Sequence, residues 1–546
     1  MKKKISDYKY EFVFAVIIVV QICVMMFYES HKEFYHIDEL YTFEYSHNIM
    51  PDSSVEGDYR IRKQDSWYDQ WHSKEEFMEH FEVQGDDSVL QHSLIDFLQN
   101  KQSKNIYYIA LNIASSLQKS PEPNKWTAFY LNVIIFCITQ IFVYKIAYEI
   151  IGNKKKALLA VLLYGFSAGA TSLTLYVRFY DLCLLSATLI SYFHIKIWKM
   201  DKIWKQALYL LGVAMAALMV YENQPYVMTY TACAVLAYLI TGLVKKQKKK
   251  IMQYVGLLSG GIAASIVVLN SVWKRLITLA GGEYGRTAIE NILGRNWNDY
   301  YKYMKYYFQK LRCHTLAGGK VSLCIAILLG GIVLYSFFIR KKILKTGYKT
   351  EYILMIFLNC ILFFLIQCRL LENFEYRYMS YYYPGVCILA AVSISYVFDA
   401  IKCKEIYSYL MIGCILILQI ATIYRKGYVE EIYPEAAEMR QVLEGYGDCD
   451  SILFIEARHA HQYYRDAFLI PDGTDFCAVE SLQALEMNYD FLDREDGRPV
   501  LCWFPNFYWN KEDDNYKALD KIVNETEYSS YYKILETYQS MVYYLY

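Results

Sequence analysis

The sequence predicts an all-α polytopic membrane protein that carries an α/β domain at its C-terminal end. Of its 546 residues, 55% are hydrophobic and 17% aromatic, and the mean hydropathy is positive, a composition too apolar for a soluble enzyme of this length. Apolar runs of membrane-spanning length recur as far as residue 424. Beyond that point the runs become short, as in the strands of a small folded domain.

About eleven membrane spans are predicted. The first extends from Glu11 to Tyr28, with Gln21 as the only polar residue between its ends, and no small-residue cleavage site follows it. We therefore expect a retained helix rather than a signal peptide. The other ten spans are near 126–151, 157–174, 179–197, 206–220, 227–244, 253–271, 320–338, 352–367, 379–399 and 407–424.

Clusters of lysine and arginine in alternate loops set the expected orientation. They lie at 154–156, 196–205, 245–250, 340–349 and 402–404. Because basic residues accumulate on the cytoplasmic side, the N-terminus is expected inside and, after eleven spans, the C-terminus outside. The chain is thus predicted to divide into a membrane domain, 1–424, which includes a first outer loop, 29–125, and an outer domain, 425–546.

The outer domain is expected to begin with an amphipathic helix near 429–445 and to continue as an α/β fold. Short apolar runs predict its strands, and amphipathic stretches near 458–468 and 512–524 predict helices between them. The predicted strands are 451–456, 476–479, 499–504, 531–536 and 541–546.

The distribution of charge excludes some classes of function. The chain carries 56 basic and 56 acidic residues, and this balance predicts no nucleic-acid partner. The centres of the predicted spans are almost free of charged residues, which ion and proton pathways normally require. Polar residues concentrate instead at outer helix ends and in outer loops. This pattern favours an enzyme that acts at the outer surface of the membrane over a transporter.

Two adjacent carboxylates, Asp38 and Glu39, follow the first apolar run by ten residues and are the first candidates for catalysis. A positioned carboxylate is a suitable general base. The alternative is that both carboxylates only stabilise the first turn of a helix, where negative charge interacts favourably with the helix dipole. Further along the same loop, Tyr107 and Tyr108 begin a short apolar stretch that predicts a helix lying at the membrane interface.

Two arginines mark the outer ends of later spans. Arg178 and Tyr180 open the fourth span, and Arg377 and Tyr378 open the tenth. A guanidinium at the level of the lipid headgroups can hold a phosphate through two parallel hydrogen bonds. The alternative is that these residues only anchor the spans at the interface. Lys104 and Glu222 add a further outer cation and carboxylate to the candidates.

The order of these features resembles the GT-C superfamily of membrane glycosyltransferases, and within it the bacterial branch that holds the protein O-mannosyltransferases and the aminoarabinose transferase. The resemblance covers roughly 10–424. It implies transfer of a sugar from a polyprenyl-phosphate donor, with inversion, to a lipid, glycan or protein acceptor at the outer face of a bacterial cell membrane. The family's carboxylate corresponds to Asp38, its Arg-x-Tyr pattern to Arg178 and Tyr180, and its late Arg-Tyr pair to Arg377 and Tyr378.

One departure from the family pattern precedes the tyrosine pair. Many bacterial relatives carry His-Pro-Pro there, whereas this chain has Lys104-Asn-Ile106. The resemblance therefore implies no histidine function at this point.

Roles follow from the chemistry of sugar transfer, in which an acceptor hydroxyl loses its proton and a phosphate gains negative charge. We expect Asp38 to be the general base and Glu39 its orienting partner or a metal ligand, with Arg178 on the phosphate. Arg377 or Lys104 is expected to assist Arg178. The remaining residues of the predicted pocket are Tyr107, Tyr108, Tyr180, Glu222 and Tyr378.

Metal use and the reaction class stay open at this stage. Carboxylates suit Mg²⁺ or Mn²⁺, but one Asp-Glu pair is too small a ligand set to predict a metal site. The second interpretation is a polysaccharide polymerase or ligase that uses lipid-diphosphate-linked glycans, and the third is a transporter.

Overall fold

The structure is a computed structural model, and its described residues form two compact units. Unit 1 comprises 1–28 and 129–430, and unit 2 comprises 29–128 and 431–546. The described residues are 9–47, 68, 70–79, 81–83, 106–118, 123–221, 224–268, 273–274, 277–278, 282–316, 347–371, 374–400, 405–455, 460–480, 498–506, 512–536 and 540–546.

Unit 1 is helical. Its longest helices are rich in apolar residues on all sides, as expected of segments that face both lipid and other helices. In chain order the helices that supply it are α1 (Lys9–Ser30), α5 (Lys125–Ile151), α6 (Lys154–Gly165), α7 (Ala168–Leu175), α8 (Tyr180–Lys199), α9 (Ile203–Leu218), α10 (Tyr226–Val244), α11 (Lys248–Val268), α12 (Glu283–Gly294), α13 (Trp297–Leu316), α14 (Thr350–Leu370), a 3-10 helix (Tyr376–Tyr382), α15 (Tyr383–Ala400) and α16 (Glu405–Lys426). Helices α2 (Ile37–His47), α3 (Lys74–Glu79) and α4 (Ile106–Ser116) belong to unit 2.

The protein is a multi-pass membrane protein with several apolar helices. Within the described residues, six helical segments are long and apolar enough to cross a membrane, or seven if α6 and α7 form one span. Helices also occupy the predicted spans at 179–197, 206–220 and 407–424, although α9 has 16 residues. The span predicted near 320–338 lies outside the described residues. The total of eleven and the orientation stay predictions.

The span predicted near 157–174 is not one straight helix. Helices α6 and α7 meet at an angle of 57°. Ser167 caps α7, because its Oγ accepts from the backbone N–H of Ala170 at 3.2 Å. Serine and threonine are acceptable in a continuous membrane helix, so hydropathy alone did not indicate this break.

Glutamine side chains from three other helices bind the backbone around the break. The Nε2 of Gln21 donates to the carbonyl of Val161 at 2.9 Å, and Gln140 donates to Gln21 Oε1 at 3.0 Å. Gln419 donates to the carbonyl of Leu163 at 3.4 Å. A polar backbone group without a partner in lipid costs several kcal/mol, so these amides stabilise a broken helix that would otherwise expose carbonyls.

Unit 2 is built on a six-stranded mixed sheet. Five of its strands come from the C-terminal region: β2 (Asp450–Ile455), β3 (Asp475–Glu480), β4 (Val500–Pro505), β5 (Tyr531–Glu536) and β6 (Ser540–Leu545). Strand β2 is central and pairs in parallel with β3 and β4. Strands β4, β6 and β5 pair antiparallel in that order. Each of these five strands lies within about a residue of the position expected from the sequence.

Helices cover the faces of this sheet, so β2 and β4 are buried on both sides. These helices are α17 (Glu435–Leu443), α18 (Ala460–Leu469) and α19 (Glu512–Glu525). Ala518, Leu519 and Ile522 of α19 pack with sheet residues in the core. The predicted helix near 429–445 is shorter than expected and begins after Pro434, which suits the first positions of a helix.

The first outer loop supplies the sixth strand, which the sequence did not predict. Strand β1 (Trp71–Ser73) pairs antiparallel with β3 at the edge of the sheet, with Trp71 opposite Cys477. Helix α3 (Lys74–Glu79) follows it and inserts Phe77 among Phe81, Tyr464 and the remaining rings of the cluster, Phe468 and Phe476. The compact units thus group 29–128 with the C-terminal residues, whereas the predicted domains assign this loop to 1–424.

Candidate active site

Arg377 lies in a cage of tyrosine rings in unit 1. The 3-10 helix that carries it precedes α15, and its guanidinium carbon is 5.2 Å from the ring centre of Tyr176, 5.9 Å from that of Tyr180 and 5.8 Å from that of Tyr378. Arginine packs well against aromatic faces. The late Arg-Tyr motif and the earlier motif at the start of α8 are therefore brought together. This agrees with the prediction that both motifs lie on the same side of the membrane.

Hydrogen bonds and charge orient the caged guanidinium. Arg377 Nη1 donates to the hydroxyl oxygen of Tyr176 at 2.6 Å, and its Nη2 is 3.6 Å from a carboxylate oxygen of Glu375. The side chain of Arg377 is 5% exposed. Gln224 donates to the hydroxyl of Tyr180 at 3.4 Å. A buried cation with a fixed orientation is suited to stabilise an anion that develops nearby.

Arg178 lies at the same helix end. It sits between Tyr176 and Tyr180 in sequence, its backbone N–H donates to the carbonyl of Tyr176 at 2.6 Å, and its guanidinium is 5.2 Å from the ring centre of Phe179. Sequence reasoning named Arg178 and Tyr180 but missed Tyr176, whose hydroxyl oxygen accepts from Arg377. Its position in the same motif could have indicated it.

Asp38 lies in the first turn of a short helix of unit 2, α2 (Ile37–His47). Its side chain is 22% exposed, and its Oδ2 lies 3.8 Å from Nδ1 of His36. The backbone N–H of Asp38 donates to the same ring nitrogen at 3.1 Å. The helix-capping and catalytic interpretations therefore coexist, because a first-turn carboxylate that is also accessible can accept a proton.

Glu39 occupies a different environment from its neighbour. Its side chain is fully buried and forms an ion pair with the buried ammonium of Lys32, and its Oε2 accepts from the backbone N–H of His36 at 2.6 Å. These contacts fix the turn that leads into α2. A carboxylate engaged in this way is a poor metal ligand, and the orienting role expected for Glu39 stays a prediction.

Helix α4 (Ile106–Ser116) is present where a helix was predicted, and it packs on α2. Tyr107 and Tyr108 are both buried, and the ring of Tyr108 is 6.1 Å from that of Tyr45 on α2. Asn112 donates to the carbonyl of Ser46 at 2.9 Å. Of the predicted pocket, Tyr107 and Tyr108 are thus brought to the helix that carries Asp38.

His47 closes the other end of α2. Its Nδ1 donates to the carbonyl of Phe81, and its Nε2 accepts from the hydroxyl of Ser115 at 2.9 Å, so the ring is held as the neutral tautomer. Burial lowers the pKa of His47 to about 4, because the buried ring is shielded from water, which would otherwise stabilise its charged form. His47 therefore ties α2 to α4 in its uncharged form.

The predicted site residues thus fall into two described groups, one in each unit. Unit 2 holds Asp38, Glu39, Tyr107 and Tyr108, and unit 1 holds Arg178, Tyr180, Arg377 and Tyr378. Lys104 and Glu222 lie outside the described residues.

The described residues also bear on metal binding. Within them, no group of three or more His, Cys, Asp or Glu side chains could hold a metal ion. Mg²⁺ and Mn²⁺ prefer several oxygen ligands, and the contacts of Glu39 described above leave Asp38 as the accessible carboxylate of the pair.

Comparisons with known proteins agree with this architecture. Residues 111–273 match the family described as dolichyl-phosphate-mannose-protein mannosyltransferase. The fold is similar to that of ArnT from Cupriavidus metallidurans bound to undecaprenyl phosphate, with a TM-score of 0.51 and 10% identity over 97% of each chain. The apo structure of ArnT gives a TM-score of 0.45 and 10% identity over 80% of this chain and 86% of that one. No curated protein matches the chain.

Both findings point in the same direction: a segment of the chain is similar to the mannosyltransferase family, and the whole fold is similar to that of ArnT. The resemblance expected from the sequence is confirmed, including its relation to the protein mannosyltransferases and to the aminoarabinose transferase ArnT.

Proposed function

We propose that the protein transfers a sugar from a polyprenyl-phosphate donor to a hydroxyl of an acceptor at the outer face of the membrane, with inversion at the anomeric carbon. The observation that carries this proposal is the caged Arg377, whose guanidinium is buried, oriented by Tyr176 and placed at the end of a membrane helix. The similarity of the fold to that of a protein bound to undecaprenyl phosphate supports this choice of donor.

In the proposed reaction the acceptor oxygen attacks the anomeric carbon as the bond from that carbon to the phosphate oxygen breaks. Asp38 takes the proton that the acceptor hydroxyl loses. Arg377 and Arg178 stabilise the negative charge that grows on the departing lipid phosphate. A single displacement inverts the configuration, so one base is sufficient, and Glu39 acts indirectly by holding the turn before α2.

Replacement of Asp38 by asparagine tests the assignment of the base. Asp38→Asn keeps the size of the side chain but removes its ability to accept a proton, and we expect transfer from a polyprenyl-phosphate sugar to fall by about 10²–10⁴-fold. The measurement is the single-turnover rate of the purified protein with a panel of such donors. Glu76→Gln, which changes a carboxylate of unit 2 that is 57% exposed, is the matched control and is expected to keep full activity.

The same assay separates the proposed reaction from that of a polymerase or ligase. If a lipid-diphosphate oligosaccharide were the donor, it would support turnover that the monophosphate sugars do not. Unchanged transfer by Asp38→Asn would remove Asp38 from the mechanism.

A further inference from the structure

A basic pocket in unit 2 contains none of the residues given a catalytic or donor-binding role above, although one of its lining residues, Lys32, pairs with Glu39. Its volume is about 300 Å³, which is at the lower end of the range for small-ligand sites. Three segments form it: the chain after α1, the chain at the start of α5, and α17. The lining residues are Lys32, Glu33, Phe34, Tyr35, Pro123, Asn124, Lys125, Trp126 and Arg440.

Hydrogen bonds fix the walls of this basic pocket to one another. The hydroxyl of Tyr35 donates to the carbonyl of Pro123 at 3.0 Å, and the ammonium of Lys125 donates to the carbonyl of Lys32. The backbone N–H of Glu33 donates to the carbonyl of Ile432 at 2.8 Å, in the segment that leads to α17. The concave surface is therefore organised before any ligand binds, which reduces the entropic cost of binding.

The charges on the walls are not balanced. The ammonium of Lys32 is neutralised by its buried ion pair with Glu39. Lys125 and Arg440 remain, and Glu33 is the one carboxylate among the lining residues. The nearest atoms of Arg440 and Glu33 are 3.8 Å apart, too far for a hydrogen bond. The lining residues thus carry more positive than negative charge, and the buried carboxylate of Glu29, behind the wall, also interacts electrostatically with Lys32 and Lys125.

Hydrogen-bond donors are also in excess. An ammonium has three N–H donors and a guanidinium has five, and Lys125 uses one of its three on the carbonyl of Lys32. The pocket contains the first turn of α5, a helix of 27 residues, whose dipole adds positive potential at that end. Asn124 caps this turn by accepting from the N–H of Trp126 at 2.9 Å. A tetrahedral anion with several acceptor oxygens matches this combination.

The pocket lies where two apolar helices end. Helix α1 ends at Ser30 and α5 begins at Lys125, and both are long and apolar enough to cross a membrane. Tyr35 and Trp126 line the pocket, and these residue types are typical of the membrane–water interface. A ligand bound in this pocket would therefore lie at the level of the lipid headgroups.

We propose that the basic pocket is a second anion site of this protein and binds a phosphate group through Lys125 and Arg440. This proposal goes beyond the glycosyltransferase function and does not depend on it, because the pocket shares no residue with the groups that contain Asp38 and Arg377. The phosphate can be carried by a lipid headgroup or by a soluble molecule, and binding measurements distinguish the two sources.

Binding of two probes to the purified full-length protein tests the proposal. Native mass spectrometry would measure retention of short-chain phosphatidic acid against short-chain phosphatidylcholine, whose phosphate is masked by a choline cation. Inorganic phosphate would be the soluble competitor. We expect the wild-type protein to retain phosphatidic acid preferentially. Arg440→Gln should weaken this binding roughly tenfold, because it removes charge-assisted hydrogen bonds.

Matched variants make the outcome decisive. Arg440 is about half exposed, so Arg440→Gln should not disturb folding, and Lys125→Gln is a second test of the pocket. Lys302→Gln, which alters a lysine that is 69% exposed in unit 1, should bind as the wild type. Displacement of phosphatidic acid by millimolar inorganic phosphate would point to a soluble ligand, and resistance to displacement to a lipid. Wild-type binding in both pocket variants, or loss of binding in Arg377→Gln alone, would overturn the proposal.

Discussion

At the residue scale, the most specific contact in the candidate site is the hydrogen bond from Arg377 to Tyr176. It joins side chains 201 positions apart in the sequence, and it orients a guanidinium that can also stack on neighbouring rings. Sequence reasoning identified Arg377 from its motif and its expected side of the membrane. It missed Tyr176, because a tyrosine at a helix end is commonplace and becomes specific only through its partner.

Tyr176→Phe tests the value of this hydrogen bond. A hydrogen bond to a charged group contributes about 1.5–3 kcal/mol, so we expect kcat/KM for the polyprenyl-phosphate sugar to fall at least about tenfold. Arg377→Lys should be more severe, since it keeps the charge but loses the planar fork. Tyr130→Phe, at a ring 49% exposed on α5, is the control. Equal rates for Tyr176→Phe and Tyr130→Phe would contradict the role assigned to Tyr176.

His47 predicts how stability depends on pH. Its folded-state pKa of about 4 lies below the ordinary value of 6.5, so the unfolded chain binds the proton more readily than the folded protein. The stabilisation is therefore complete above pH 6.5 and is lost as the pH falls towards 4, up to about 3 kcal/mol.

The measurement is the Tm of the purified protein between pH 7.5 and pH 4.5. His47→Gln should start from a lower Tm and show a flatter decline with acid than the wild type. His31→Gln, at an exposed position, should reproduce the wild-type curve. An equally steep decline in His47→Gln would assign the acid sensitivity to other groups.

At the element scale, the break between α6 and α7 is the main difference from the predicted spans. The chain is apolar on both sides of the break, so a single helix was expected. The break persists because Gln21, Gln140 and Gln419 bind carbonyls near it. In a bilayer those carbonyls have no water to bind. The three glutamines can be read from the sequence, but the sequence does not show that their side chains bind the same stretch of backbone.

Gly165 is the position most sensitive to this packing. A Cβ atom there would lie 2.2 Å from atoms of both Gln140 and Gln21, so Gly165→Ala must displace the amide network. We expect a loss of about 1–3 kcal/mol in the free energy of unfolding, as for other overpacked sites. Gly256→Ala on α11, where a Cβ meets nothing within 4 Å, should be neutral or slightly stabilising. Thermal unfolding of the two variants in the same detergent compares them, and equal Tm values would contradict the packing argument.

At the scale of the whole molecule, unit 2 is assembled from two parts of the chain that are far apart in sequence. Strand β1 and α3 come from the first outer loop, and the rest of the sheet comes from the C-terminal region. Sequence reasoning found the C-terminal strands because their apolar runs are long enough to recognise. A strand of three residues, such as β1, carries no periodicity of its own.

Phe77→Ala tests this assembly. Phe77 is fully buried, and four aromatic rings surround it at centroid distances of 5.1–5.5 Å. Removal of such a ring costs about 3–5 kcal/mol. We expect increased hydrogen–deuterium exchange in α18 and β3, in the C-terminal part of the chain. Ile106→Ala, at a side chain 49% exposed, is the control. Unchanged exchange in Phe77→Ala would show that the loop and the sheet are energetically independent.

By itself the sequence determined the membrane class, the positions of most helices and strands, the two arginine motifs and the carboxylate pair. Each of these depends on properties that are local along the chain: apolar length, periodicity and motif order. The tertiary structure decided which side chains meet, as in the pairing of Glu39 with Lys32, the caging of Arg377, the amide network at the helix break and the joining of β1 to the sheet. Such contacts depend on packing between segments far apart in the chain, which local patterns do not specify.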